Sequence, residues 1–295
     1  MGGTFQYLLS KEGEVMNEHY LDSEVNEYIE IKNDKSDLES KWKMAIGLQQ
    51  VDNLTPSEYM KDLVKLNIKN EISLDELDNK LKKYYDDFND SYNRDEYECD
   101  FVSLRIMQIL QNDMFYLTID FYKYVHYFLF KDVYKFSGKF REVNISKDEK
   151  ILNGDTVVYC DYNRIRDYLI YDFSEEGKED YNKLSASDKI ISISNFTSCI
   201  WQIHPFMEGN TRTTAIFMIK YLKELGYNIN YSLFKDDSKY FRNVLVRSNY
   251  SNDKLNIKED NSYLIKFYEN LLLGKNNNLK VKGTFVVNYY VSELS

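Results

Sequence analysis

Proline and glycine are scarce in this sequence, which has 2 prolines and 11 glycines among its 295 residues. These two residues punctuate chains most strongly, so their scarcity favours long helices over many short turns. Hydrophobic residues make up 43% of the chain and charged residues 29%, an ordinary balance for a globular protein with one large core. We therefore expect a mainly α-helical fold.

Long apolar runs and a cysteine framework are also missing. No stretch approaches the roughly 18 uninterrupted apolar residues of a membrane span, and residues 1–20 lack the basic start and apolar run of a signal peptide. The three cysteines, Cys99, Cys160 and Cys199, lie far apart and match no metal spacing, as is typical of a reducing compartment. These features predict a cytoplasmic protein without a membrane partner.

Positive charge is in short supply, because 38 lysines and arginines face 48 aspartates and glutamates, for a formal net charge of −10. An average surface of this sign repels the phosphates of nucleic acids and of anionic lipids. We therefore expect no nucleic-acid partner, although a local basic pocket is compatible with this composition.

Changes in composition along the chain predict three regions. Residues 1–98 are acidic and polar with short apolar stripes and are expected to form a helical region, in which Ser73 and Glu76 have the spacing of a capping box. Apolar density rises afterwards, so residues 99–275 are expected to form the main domain. Residues 276–295 are expected to form a tail with a strand at Thr284–Val291.

One segment of the main domain has a different pattern. Asn153-Gly154-Asp155 stands between two short apolar runs, which is typical of a β-hairpin turn flanked by short strands. We therefore predict a small hairpin over residues 145–159 in an otherwise helical domain.

A helix is interrupted at His204. Apolar spacings predict a helix from about Ser187 to Ile203, and Pro205 disfavours the helical conformation at the residue before it. A second, buried helix is expected from about Thr211 to Leu225, with Gly226 as its stop. The break therefore lies between two core helices.

The residue types in this break suit phosphate chemistry. A helix N-terminus offers unpaired N–H groups and a positive dipole, Gly209-Asn210 permits a tight turn, and Arg212 adds a permanent cation. Glu208 is a hard oxygen ligand of the kind that Mg²⁺ uses beside phosphates. His204, with an ordinary pKa of about 6.5, suits proton transfer from a hydroxyl at neutral pH.

Two other interpretations stay open at this point. Pro205 and Gly209 could merely shape a turn between helices, with His204 a satisfied core histidine and the charges on the surface. A hydrolytic metal site with His204 and Glu208 as ligands is the second, but no further His or Cys cluster completes it. The combination of His, Glu, Gly-Asn and Arg between two apolar helices favours the phosphate site.

The segment His204–Arg212, H-P-F-M-E-G-N-T-R, resembles the signature of the Fic family, usually written H-P-F-x-D/E-G-N-G-R-x-x-R. The segments His126–Tyr134 and Ser137–Arg141 resemble the core entry helix and following turn of that family. Roughly Phe101–Leu273 is thus similar to a Fic domain. The resemblance implies a Fic-type helical bundle with a small β-hairpin flap and a helical N-terminal region.

The resemblance also implies a role for each loop residue. His204 would activate a Ser, Thr or Tyr hydroxyl of a target protein, and Glu208 would hold Mg²⁺ on the phosphates of ATP, the donor. Phe206 would also anchor the loop in the core. The residues implied in nucleotide binding are Phe206, Gly209, Asn210, Thr211 and Arg212. The flap at 145–159 would align the target segment by strand pairing.

Two positions depart from the family signature. Thr211 replaces a glycine, and Ala215 stands where a second arginine would contact the γ-phosphate and pair with an inhibitory glutamate. A degenerate inhibitory pattern is present at Ser23 and Glu27. Residues Trp42–Tyr85 resemble the antitoxin-like helical module that precedes some Fic domains, with Gly47 and Val51 at the positions of its Ser and Glu.

These features lead to one functional hypothesis and two alternatives. The main hypothesis is a Mg²⁺-dependent protein adenylyltransferase that moves AMP from ATP to a Ser, Thr or Tyr hydroxyl of a target protein. The alternatives are a Fic-fold nucleotide-binding module with weak activity and the transfer of another phosphate-containing group. Self-modification and a homodimer are both compatible with the sequence.

Overall fold

The computed structural model describes residues 35–88 and 91–279. The chain divides into two compact units, Met1–Leu38 and Glu39–Ser295, and the first helix of the described residues begins at Lys35. The α-helices are α1 (Lys35–Gly47), α2 (Glu58–Ile68), α3 (Leu74–Asp86), α4 (Arg94–Gln111), α5 (Ile119–Phe130), α6 (Ile165–Glu176), α7 (Ala186–Ile203), α8 (Asn210–Glu224), α9 (Ser232–Asp236), α10 (Ser238–Ser248) and α11 (Ser262–Leu273).

The predicted mainly α-helical fold is confirmed. Short 3₁₀ turns connect several helices, at Leu48–Asp52, Lys150–Leu152, Tyr162–Arg164, Tyr181–Lys183 and Asp253–Leu255. In the described ranges, β-pairing amounts to one isolated bridge between Asn252 and Ile257. No helix in these ranges is both long enough and apolar enough to cross a membrane.

Helix α8 lies at the centre of the domain. Every residue from Asn210 to Leu222 is buried, and the helix contacts α5 on one side and α7 on another. A helix that is apolar around most of its circumference is stable only when it is enclosed in this way. Gly226 follows its end with a φ of 85°, the left-handed conformation of a helix stop.

The N-terminal helices also follow their local signals. The Ser73 hydroxyl accepts a hydrogen bond from the Glu76 amide, and the Glu76 carboxylate accepts one from the Ser73 amide, so the predicted capping box opens α3. The boundary predicted near residue 98 falls within α4, which contacts both α3 and α5. The predicted strand at Thr284–Val291 and the pattern at Ser23 and Glu27 lie outside the described residues.

The predicted β-strands flanking Asn153-Gly154 are wrong, although the turn itself is present. Asn153 and Gly154 have φ values of 57° and 92°, and the Glu149 amide donates to the Asp155 carbonyl at 3.0 Å. No ladder continues from this bond, and residues 150–152 form a 3₁₀ turn instead. Contacts with side chains take the place of strand pairing, as with the Tyr250 hydroxyl, which donates to the Asp155 carboxylate at 2.6 Å.

Candidate functional site

The break between α7 and α8 is built around a left-handed residue. His204 has a φ of 48° and a ψ of 57°, and its amide donates to the Trp201 carbonyl at 3.0 Å. Pro205 prevents the helix from continuing through His204, since its ring clashes with a helical residue before it. A non-glycine residue in this region costs conformational energy and persists only when its surroundings hold it.

Arg141 holds this strained corner. Its Nε donates to the His204 carbonyl at 2.8 Å, a second guanidinium nitrogen donates to the Ile203 carbonyl at 3.3 Å, and its amide donates to the Pro205 carbonyl at 2.8 Å. A cation at the end of a helix also complements the negative end of the helix dipole. Arg141 belongs to the segment that resembles the family turn, but the sequence did not indicate this contact.

Phe206 and Asn210 close the loop on itself. Phe206 is fully buried and stacks on the His126 ring with centroids 3.8 Å apart. The Asn210 side chain accepts from the Phe206 amide at 3.0 Å and donates to the Phe206 carbonyl at 2.8 Å. The Asn210 side-chain amide therefore shapes the loop, and its role in nucleotide binding stays a prediction.

His126 is a structural histidine beneath the loop. Its Nδ1 accepts from the Gly138 amide at 2.8 Å, so Nε2 carries the proton and donates to the Glu208 carbonyl at 3.0 Å. Burial lowers the pKa of His126 to about 4, which keeps the ring neutral. The sequence analysis placed His126 in a family-like helix without predicting this role.

Gly209 immediately precedes α8, at a position where both the backbone conformation and the space favour glycine. Its φ is 79°, and a Cβ at this position would lie 2.4 Å from the Phe130 ring. No side chain caps the helix at Gly209. The first N–H groups of a helix have no partner within it, so this N-terminus attracts anions.

The His204 imidazole is neutral and contacts Trp201, whose indole donates to Thr211 in the first turn of α8. His204 is only 1% exposed, and its ring packs against Tyr159 with centroids 4.3 Å apart. Burial lowers the pKa of His204 well below 6.5, and the nearby cations Lys147 and Arg242 lower it further. Nδ1 lies 3.3 Å from the Trp201 carbonyl, which assigns the proton to Nδ1 and a free lone pair to Nε2.

The carboxylate of Glu208 is half-exposed at the surface of the loop His204–Arg212. The side chain is 52% exposed, and Lys147 Nζ contacts one carboxylate oxygen at 2.9 Å. In the described part of the chain, no three His, Cys, Asp or Glu residues cluster as a metal site. One accessible carboxylate fits Mg²⁺, which keeps several waters and binds through one or two carboxylates together with phosphates.

The guanidinium of Arg212 is bound by residues that precede the Fic-like loop by more than one hundred positions. It donates to Gln49 at 2.9 Å and Glu98 at 2.6 Å, lies 3.0 Å from Asp52, and stacks over Phe130. Burial alone would lower the pKa of Arg212, but the two carboxylates raise it above its ordinary value. Its role in phosphate binding stays a prediction, whereas its observed contacts attach α8 to the N-terminal helices.

Thr211 and Ala215, the two departures from the family signature, are both buried. The Thr211 hydroxyl accepts from the Trp201 indole at 3.0 Å and lies 3.5 Å from an Arg242 nitrogen. Ala215 is completely buried on α8 and adds no charge. The site therefore gains a hydroxyl at one position and has no cation at the other.

Two basic residues near the loop had no signal in the sequence. Lys147 comes from the connection before the 3₁₀ turn at Lys150–Leu152, and Arg242 comes from α10. Glu149 accepts from Arg242 through both carboxylate oxygens, at 3.0 and 3.2 Å. Arg242 follows the loop by some thirty positions and belongs to no motif, so only the tertiary structure brings it there.

Comparison with known proteins supports the resemblance. Residues 116–222 match the model of the Fic/DOC family. A protein adenylyltransferase, VbhT, of Bartonella schoenbuchensis is 28% identical over 138 residues, which are 46% of this chain and 27% of that protein. A probable protein adenylyltransferase, y4lH, of Sinorhizobium fredii is 29% identical over 129 residues, 43% of this chain and 62% of that protein. The matched part thus spans less than two thirds of either relative.

Solved structures are also similar, and one of them is the N-terminal Fic domain of Bep8, a VirB-translocated effector protein of a Bartonella species. It aligns with a TM-score of 0.45 and 16% identity. The alignment covers 63% of this chain and 85% of that one.

Gly209 and Gly226 offer a matched test of the loop geometry. Both have positive φ, but an added Cβ meets Phe130 only at Gly209 and open space at Gly226. Gly226→Ala is expected to cost about 1 kcal/mol of unfolding free energy, and Gly209→Ala about 1–3 kcal/mol more through overpacking. Urea unfolding measures both, and equal losses would contradict the close approach of Gly209 to Phe130.

Proposed function

We propose, from the premise that residues 116–222 are a Fic/DOC family domain, that this chain is a protein adenylyltransferase. It transfers AMP from ATP to a Ser, Thr or Tyr hydroxyl of a target protein with Mg²⁺. The names of the two curated relatives support the reaction class. The observation that carries the proposal is a buried, neutral His204 that Trp201 connects to the first turn of a helix whose N-terminus no side chain caps.

The proton transfer follows from the tautomer of His204. The Nδ1 proton is directed at the Trp201 carbonyl, so Nε2 is free to accept the proton of an attacking hydroxyl. As that oxygen forms its bond to the α-phosphorus, the bond to pyrophosphate breaks on the opposite side. The products are an AMP-modified hydroxyl, pyrophosphate and a proton that leaves through His204.

The loop contributes positioning and charge. Backbone N–H groups at Gly209 and in the first turn of α8 would bind phosphate oxygens, in a loop held rigid by Phe206 and Asn210. Glu208 would hold Mg²⁺, which would neutralise the charge that builds up on the phosphates.

The target and the cellular setting belong to the same proposal. A protein segment would dock along residues 145–159, which lie beside His204 through Tyr159 but form no strand in the described chain. A target segment would therefore have to induce any strand pairing here. Self-modification, a homodimer and a cytoplasmic location stay predictions.

A nucleotide-binding module with weak activity, or transfer of another phosphate-containing group, is the second candidate. The observation in its favour is that Ala215 adds no charge to α8 and that Arg212 is engaged by Asp52 and Glu98. The loop segment itself then contributes no free cation to hold a γ-phosphate.

Labelling separates the candidates. With ATP labelled on the α-phosphate and Mg²⁺, the wild type is expected to label protein, and His204→Asn to do so about 10²–10⁴-fold more slowly. Asparagine suits this test because it tolerates the left-handed backbone at this position. Nucleotide binding without any label on a range of candidate targets would favour the module, and label from another donor alone would favour a different transfer.

The metal role of Glu208 has its own test. Its half-exposed carboxylate makes few contacts, so Glu208→Gln is expected to keep the unfolding temperature and to require about tenfold or more additional Mg²⁺ for the same labelling rate. Titrating Mg²⁺ against rate measures this shift. An unchanged Mg²⁺ dependence would contradict the assignment.

The pH dependence follows from the lowered pKa of His204. A base works only when unprotonated, so kcat/KM should fall as pH decreases through the pKa of the free enzyme, which lies well below 6.5. Labelling is therefore expected to be nearly constant from about pH 8 to 6.5. Lys147→Gln removes one cation that lowers this pKa and should move the acid limb to higher pH. Half-loss of wild-type activity at or above pH 6.5 would contradict the burial argument.

A further inference from the structure

The basic side chains that lie closest to Glu208 and Thr211 of the loop, Lys147 and Arg242, come from other segments of the chain. The guanidinium of Arg212 is bound by Gln49, Asp52 and Glu98. Lys147 and Arg242 are instead the two cations that act most strongly on the His204 imidazole. They belong to different elements and are separated by nearly one hundred positions in the sequence.

Arg242 lies at the N-terminal turn of α8. One terminal nitrogen is 3.5 Å from the hydroxyl of Thr211, the second residue of that helix, while the other is bound by Glu149. The guanidinium thus has one edge on a carboxylate and another toward the helix start. An arginine fork in this setting matches the oxygens of a phosphate group.

Glu149 fixes the orientation of this guanidinium. It is 4% exposed, binds Arg242 through both oxygens, and accepts from the Tyr159 hydroxyl at 3.2 Å. The Tyr159 ring packs in turn on His204. A cation whose orientation is already fixed loses little conformational freedom when an anion binds. The contacts of Glu149 therefore favour anion binding by Arg242.

The side-chain charges of the cluster balance, and a helix N-terminus adds a positive dipole end to them. Lys147 and Arg242 face Glu208 and Glu149, and the N-terminus of α8 has no side-chain cap. Both cations also lower the pKa of the buried His204 imidazole, which opposes its protonation. A phosphate chain is a ligand whose negative charge complements these two side chains and the helix N-terminus.

We propose that Arg242, oriented by Glu149 and seated against Thr211, is a phosphate-binding residue of the donor site, and that Lys147 is its second basic group. This inference rests on the proposed function for the identity of the donor. It assigns to α10 and to the connection before residue 150 the charge that Ala215 does not provide on α8.

Direct binding tests the inference apart from catalysis. Calorimetry with ATP plus Mg²⁺, and separately with inorganic tripolyphosphate, would compare the wild type with Arg242→Gln and Lys147→Gln. Loss of a hydrogen-bonded charge predicts about 10- to 100-fold weaker binding of both probes by Arg242→Gln and a smaller loss by Lys147→Gln. Arg166→Gln and Lys178→Gln, both on exposed side chains, are the matched controls and should bind as the wild type does.

Folding is checked on the same samples. Arg242→Gln leaves the buried Glu149 without its charged partner and could destabilise the fold for that reason alone. The double variant Glu149→Gln/Arg242→Gln is therefore measured as well, because it replaces the ion pair by two neutral side chains. Weakened binding by a double variant that unfolds cooperatively supports the inference. Wild-type affinity in either folded Arg242 variant overturns it, as does a wild type that binds neither probe.

The two proposals can fail separately. Arg242-dependent binding of tripolyphosphate without AMP transfer would keep this inference and remove the proposed function. AMP transfer and ATP affinity that are unaffected in Arg242→Gln would keep the function and remove the inference.

Discussion

The left-handed backbone at His204 is the constraint on which the site depends. It ends α7 and turns the chain so that Phe206 enters the core. Helix α8 then begins after Gly209, where the Asn210 side chain bonds to the Phe206 backbone. Pro205 excludes the helical alternative, and Arg141 holds the resulting carbonyl groups from the opposite side. Any residue other than glycine has a conformational cost in this region, and these contacts balance that cost.

The distribution of charge around α8 separates structural from functional roles. Arg212 forms ion pairs with Asp52 and Glu98. These pairs connect the central helix α8 to the preceding part of the chain. Breaking such a buried pair typically costs about 3–5 kcal/mol, so this contact makes α8 dependent on its neighbours. Lys147 and Arg242 act on His204 from other elements of the fold, and their side chains are 22% and 19% exposed.

Local patterns predicted the elements well because their causes are local. The capping box at Ser73, the stop at Gly226 and the break at Pro205 act over a few residues, so each was visible in the sequence and is present in the structure. The strands around Asn153-Gly154 failed for the opposite reason. Strand pairing needs a partner at a matching register, and here side chains from distant residues, such as Tyr250, satisfy the segment instead.

The sequence by itself determined a mainly α-helical chain, the helix break at His204 and the order of residue types in the loop. Only the tertiary structure decided the partners of each charge: Asp52 and Glu98 for Arg212, and Glu149 for Arg242, which also lies beside Thr211. The physical reason is range. Helix breaks and turns depend on neighbours along the chain, whereas the partner of a charged side chain depends on which distant helices pack against it.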